Sequence, residues 1–76
     1  MRSLIEFCAR SLVDRPEEVR VDEHETGQTT VLTLHVAPGD LGKVIGREGR
    51  TAEALRALLE VAASAHDRRA ILEIAD

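Results

Sequence analysis

At 76 residues, the chain has room for one small domain, 1–76, burying only roughly 60% of the surface its unfolded form exposes. One Phe and no Tyr or Trp argue against an RNA-recognition-motif sheet or a single-strand-binding barrel, both of which stack bases on aromatic rings. A net charge of −4 argues against a general polyanion coat, because non-specific nucleic-acid binding comes from basic surfaces.

The single cysteine, Cys8, cannot form an internal disulfide, and no zinc-ligand spacing occurs. The N-terminus shows no signal-peptide pattern, and no apolar run approaches the roughly 20 residues needed to span a bilayer. A cytoplasmic location without membrane insertion is the expectation.

Ser3-Leu4-Ile5-Glu6 has the form of a capping box with Ser3 as N-cap. Leu4, Ile5, Cys8 and Leu12 then fall on one helical face. Asp14-Arg15-Pro16 ends this first helix, predicted over 3–13, because the residue before proline is pushed out of the helical region. Glu18 to His24 alternates, with Val19 and Val21 on one face. Thr29 to Val36 alternates as well, with Leu32, Leu34 and Val36 together. Glu25-Thr26-Gly27-Gln28 between them reads as a hairpin turn. Both strands are half-apolar, which fits a sheet covered by helices on one face only.

Pro38-Gly39-Asp40 breaks the second strand and supplies a cap for a short helix over Leu41 to Ile45. A glycine loop, Gly46-Arg47-Glu48-Gly49, follows, and a longer helix is predicted from Arg50 to Ala65. Arg69 to Ile74, alternating at Ala70, Leu72 and Ile74, closes the chain as a third strand. The order is α-β-β-α-α-β, an α+β arrangement.

The loop is the chemically informative stretch. Glycine leaves room for a ligand to approach the main chain. A helix beginning just after such a loop offers unpaired N–H groups and a partial positive charge that suit phosphate. Residues 39–50 carry Lys43, Arg47 and Arg50 against Asp40 and Glu48, so the acidic excess lies elsewhere. Any nucleic-acid contact must therefore be local.

The long helix carries a second signal. Ala52, Leu55, Leu59, Ala62 and Ala63 make a core stripe, and Arg50, Glu53, Arg56, Glu60, Ser64 and Asp67 a polar one. Ala54, Ala57, Leu58, Val61 and Ala65 form a further apolar strip, where a surface helix needs only one apolar face. Either the helix is wrapped within its own fold or it docks on another chain. Self-association through Ala54, Leu58, Val61 and Ala65 is the favoured reading.

Val44-Ile45-Gly46-Arg47-Glu48-Gly49-Arg50-Thr51, with a helix on each side, resembles the KH signature of an apolar pair, GxxG and a helical run. The element order resembles the bacterial type II KH domain, whose three-stranded sheet is mixed in direction and covered on one face by three helices. End to end, the chain is similar to the KhpA family of small single-KH bacterial RNA-binding proteins. That resemblance implies a GxxG loop gripping the backbone of about four single-stranded nucleotides beside an aliphatic groove. Position by position, Gly46 and Gly49 would admit the strand, and Arg47 would face phosphate. Val44 and Ile45 would help wall the groove, with Leu55 and Leu34 as weaker candidates that core packing explains equally well. Lys43 and Arg50 would strengthen the local field.

Two departures from the family pattern stand out: Glu48 sets a carboxylate where phosphate approaches, and Ala52 replaces a larger aliphatic residue. The resemblance also implies homodimers, a larger Jag-type (KhpB-like) KH partner, and a role as RNA chaperone or post-transcriptional regulator linked to cell-envelope growth and cell length.

The alternatives are plainer. The glycines could serve only as helix stops and turn residues. A Walker loop fails at Val44 and Arg50, and the dinucleotide GxGxxG spacing is absent. His24, His35 and His66 are dispersed, with no partner at metal-ligand spacing. No acid, base and nucleophile are set together. The sequence thus leads to a non-catalytic RNA-binding domain with no cofactor, metal or small-molecule substrate. A protein-interaction module with weak RNA contact is the rival, favoured by Glu48 and the overall acidity.

Overall fold

The computed structural model describes residues 1–75. The first helix, α1, spans Arg2–Leu12. It starts earlier than the Ser3 capping box implies: Met1 is the N-cap residue and no side chain caps the helix. The Ile5 N–H bonds the Met1 carbonyl at 3.4 Å, and Met1 packs against the core. That earlier start adds a backbone bond and apolar contact, so Ser3 lies inside the helix and Glu6 pairs with Arg10 at 4.0 Å. The buried face centres on Ile5 and Ala9, with Cys8 partly buried; Leu12 and Phe7 stand outside.

Pro16-Glu17-Glu18 coil into a single 3-10 turn that the alternation pattern did not reveal, with proline preset for its first position. Strand β1 therefore begins at Arg20 and runs to Thr26. A tight turn at Gly27-Gln28, with Gly27 at φ 59°, leads into β2, Thr29–His35.

A second 3-10 turn, Pro38–Asp40, precedes α2, Leu41–Ile45. Asp40 makes no side-chain cap for α2. Its carboxylate is buried and accepts the Arg15 N–H at 3.0 Å, tying the α1–β1 connection to the β2–α2 connection. Helix α3, Arg50–Ala65, and strand β3, Arg69–Ile74, complete the chain. No helix among the described residues is long and apolar enough to cross a membrane.

Strand order is β1-β2-β3, with β1 antiparallel and β3 parallel to the central β2. A parallel partner requires a long crossover, and α2 and α3 provide it. The registers Leu32↔Leu72 and Leu34↔Ile74 set like faces together. Thr30, Leu32 and Leu34 accordingly point under the helices and are buried. The core joins Ile5, Val21, Leu32, Leu34, Val44, Leu55, Leu59 and Leu72 across all three helices and the sheet. Thr30, the one hydroxyl in this layer, accepts from Arg68 Nε at 2.9 Å, so its burial leaves no orphaned polar atom.

Candidate nucleic-acid interface

α2 ends at Gly46, whose N–H bonds the Gly42 carbonyl at 2.9 Å. Gly46 adopts φ 77°, ψ 172°, a conformation essentially confined to glycine. A Cβ there would also collide with the Thr51 hydroxyl and lie 2.8 Å from the Thr51 backbone nitrogen. The chain then makes one tight turn over Arg47–Gly49, closed by Gly49 N–H to Gly46 O at 3.1 Å. Glu48 (φ 56°) and Gly49 (φ 74°) are both left-handed. For Glu48 that costs about 1–2 kcal/mol, the sort of local strain that concentrates at functional turns. Gly49 has open space around it, so its backbone angle, not crowding, favours glycine.

α3 starts at Arg50 with no side-chain cap. Its first-turn amides thus border the loop, where Arg47, Glu48 and Arg50 are exposed and Gly46 and Gly49 half-buried. Neither Arg47 nor Arg50 joins an ion pair among the described residues. Lys43 does: its Nζ lies 3.3 Å from the Asp14 carboxylate. The loop therefore presents two unpaired guanidinium groups against one carboxylate, Glu48, with Lys43 held to one side.

Three of the expected groove residues are elsewhere. Val44 and Leu34 are fully enclosed, and Leu55 is 3% exposed. All three belong to the core and offer no side-chain surface to a ligand; of the four, Ile45, 37% exposed, is the one that reaches the surface. In a helix of five residues, periodicity cannot tell Val44 from Ile45, and the packing of α2 against α3 and α1 decides. Ala52 is buried as well.

A feature that the side-chain pattern does not disclose lies between α3 and β3. Only His66-Asp67-Arg68 joins them, so the two run in opposite directions and the end of β3 sits beside the start of α3. The cleft between them, about 200 Å³, is lined by Arg56, Leu59, Glu60, Ala70, Ile71 and Leu72. It opens into a wider depression of about 530 Å³ that adds Thr29, Ala63, Ser64, Arg68 and Arg69. Its floor is a strand edge. Arg69 and Ala75 donate backwards to Gln28 and Leu34 of the β2 side, so by alternation Ala70, Leu72 and Ile74 turn their N–H and C=O groups into the cleft.

On the other flank of α3, Ala54, Leu58, Val61 and Ala65 are all exposed, with Leu58 at 47% and Val61 at 71%. The helix is thus not wrapped within its own fold on this side. A shallow apolar groove joins Leu58 and Ala54 to Phe7, Cys8 and Leu12 of α1. Phe7, the sole aromatic residue, is 71% exposed there, an addition the helix periodicity of α3 alone does not supply.

Comparison with known proteins decides the family. The model of the KhpA/KhpB KH domain matches residues 2–74. The chain belongs to that family. It is 49% identical to the RNA-binding protein KhpA of Halalkalibacterium halodurans over the full length of both. The protein of that name from Clostridium acetobutylicum is 47% identical over 97% of this chain and 99% of its own. That of Borreliella burgdorferi is 48% identical over 96% and 89%. No solved structure matches the chain. The α-β-β-α-α-β order and mixed sheet are those expected of the type II KH fold, and the relatives are described as RNA-binding proteins rather than enzymes.

Proposed function

We propose that the chain binds single-stranded RNA, without catalysis, along a path from the Gly46–Gly49 loop into the α3–β3 cleft. The observation that carries this reading is the loop itself. Gly46 holds a backbone shape that no side chain permits, and it delivers Arg47, Gly49 and the uncapped start of α3 to solvent together. Relatives named RNA-binding protein KhpA at up to 49% identity support it. Arg47 and Arg50 pair with phosphate, Lys43 adds to the field, Gly46 and Gly49 admit the strand, and Ile45 flanks it. Val44 acts from beneath, by fixing α2.

Ultraviolet crosslinking of cellular RNA tests the reading. The Arg47→Asp, Glu48→Asp double variant abolishes crosslinks if the loop is the contact; unchanged crosslinking would remove the loop from the interface.

The chain further acts as a homodimer, with Ala54, Leu58, Val61 and Ala65 meeting a second copy and Phe7 and Leu12 widening the contact. The same surface suits a larger Jag-type KH partner, and the family description spanning KhpA and KhpB is in keeping with that. The cellular role inferred from the family is RNA chaperoning or post-transcriptional regulation in the cytoplasm, linked to envelope growth and cell length.

A second reading, a pairing module with weak RNA contact, draws on Glu48 within the loop and the net charge of −4.

A further inference from the structure

The cleft holds more information than a phosphate clamp needs. A bare strand edge offers a base one acceptor and one donor, which complements the amine and ring nitrogen of adenine or cytosine. At Leu72 the acceptor is already engaged: Arg56 Nε donates to the Leu72 carbonyl at 3.3 Å, occupying one of its two lone pairs and setting the guanidinium beside it. The Leu72 N–H and the remaining N–H groups of the guanidinium also face the cleft there, so donors predominate along this edge. Guanine presents two adjacent acceptors, O6 and N7, which arginine engages as a pair; adenine places its N6 amine where O6 would be, donor against donor.

Glu60, one helical turn beyond Arg56, lines the same cleft and enters no ion pair among the described residues. Its carboxylate can accept from guanine N1–H and the N2 amine, whereas adenine N1 is unprotonated and would meet it acceptor to acceptor.

We propose that Arg56 and Glu60 select guanine over adenine at the nucleotide lying against Leu72. This rests on the reading of the α3–β3 cleft as the path of the strand. The selection arises because one side chain tips a mixed backbone edge toward donors while the other meets the adjacent Watson–Crick edge of the base.

The test is fluorescence anisotropy with uridine hexamers carrying one central guanosine, adenosine or 7-deazaguanosine. The protein binds the guanosine hexamer at least about fivefold more tightly than the adenosine one, the low end for a paired arginine contact. The 7-deaza base loses most of that margin. Arg56→Ala frees the Leu72 carbonyl and brings the ratio to one or below. Arg56→Lys, which keeps the charge, also lowers the ratio, and Glu60→Gln lowers it independently. A wild-type ratio near one, or a ratio unmoved by all three variants, overturns the inference while leaving the loop clamp standing. Hexamer binding that the Arg47→Asp, Glu48→Asp variant does not weaken overturns the clamp itself and this inference with it.

Discussion

The two ends of interest on α3 are built on different principles. At its N-terminus the site is made by backbone: Gly46, Glu48 and Gly49 in positive-φ conformations, amides without a cap, and charges that merely surround them. Along its flank the surface is made by side chains alone, Leu58 beside Phe7 and Leu12 of α1 and Val61 exposed further along the helix. The fold of the first region should be sensitive to the addition of a single methyl at glycine and insensitive to most changes of its exposed side chains, whose charges matter to RNA instead. The second should behave the opposite way. One helix can serve both because its buried stripe, Ala52, Leu55, Leu59 and Ala63, faces the sheet and leaves the N-terminal end and one flank free.

The largest effect expected from breaking this contrast is at Gly46. Gly46→Ala meets Thr51 and takes a φ of 77°, so a loss of about 3 kcal/mol is expected from strain together with collision. For a domain of this size that lowers the melting temperature by about 12–24 °C, measured by circular dichroism. Gly49→Ala, equally left-handed but unobstructed, should cost only about 1–2 kcal/mol. Equal losses at the two glycines would show that crowding at Thr51 contributes nothing.

Next comes the flank. Leu58→Asp places a charge where the second copy is expected, and light scattering should show a monomer in place of a dimer. Because Leu58 is 47% exposed in the single chain, the fold itself should change by no more than about 0.5 kcal/mol. A dimer that persists would move the interface elsewhere.

The smallest effect is at the edge of the loop. Asp14→Ala releases Lys43 from an exposed pair worth only about 0.2–1 kcal/mol, so stability should scarcely change. RNA affinity at low salt should rise. With two unpaired cations the log–log salt slope is about −1.4, and a freed Lys43 takes it to about −2. An unaltered slope would mean that Lys43 never meets phosphate.

Much of this could be read from the residues. The bounds of α2, α3 and β3 follow from the glycine bracket and from clean periodicity, and the loop was identifiable because no other stretch joins two glycines to three basic residues. Other features depend on contacts between distant segments. Met1 packs on the core and draws α1 back past Ser3; Pro16 coils the residues that looked like the start of β1. Asp40 serves Arg15 instead of its own helix. Val44 looked like a groove wall because a five-residue helix has no readable inside. The cleft at Leu72 was hidden because the direction of a backbone carbonyl leaves no mark in side-chain pattern, and Arg56 reaches it from 16 positions away.

The contrast between the two regions is tested most directly by amide chemical-shift mapping of the labelled protein titrated with a short oligoribonucleotide. The account predicts that the largest shifts fall on Gly46–Thr51 and on the inward-facing amides of Ala70 and Leu72, with Phe7 and Val61 unmoved. Shifts centred on Phe7, Leu58 and Val61, with a silent loop, would contradict it.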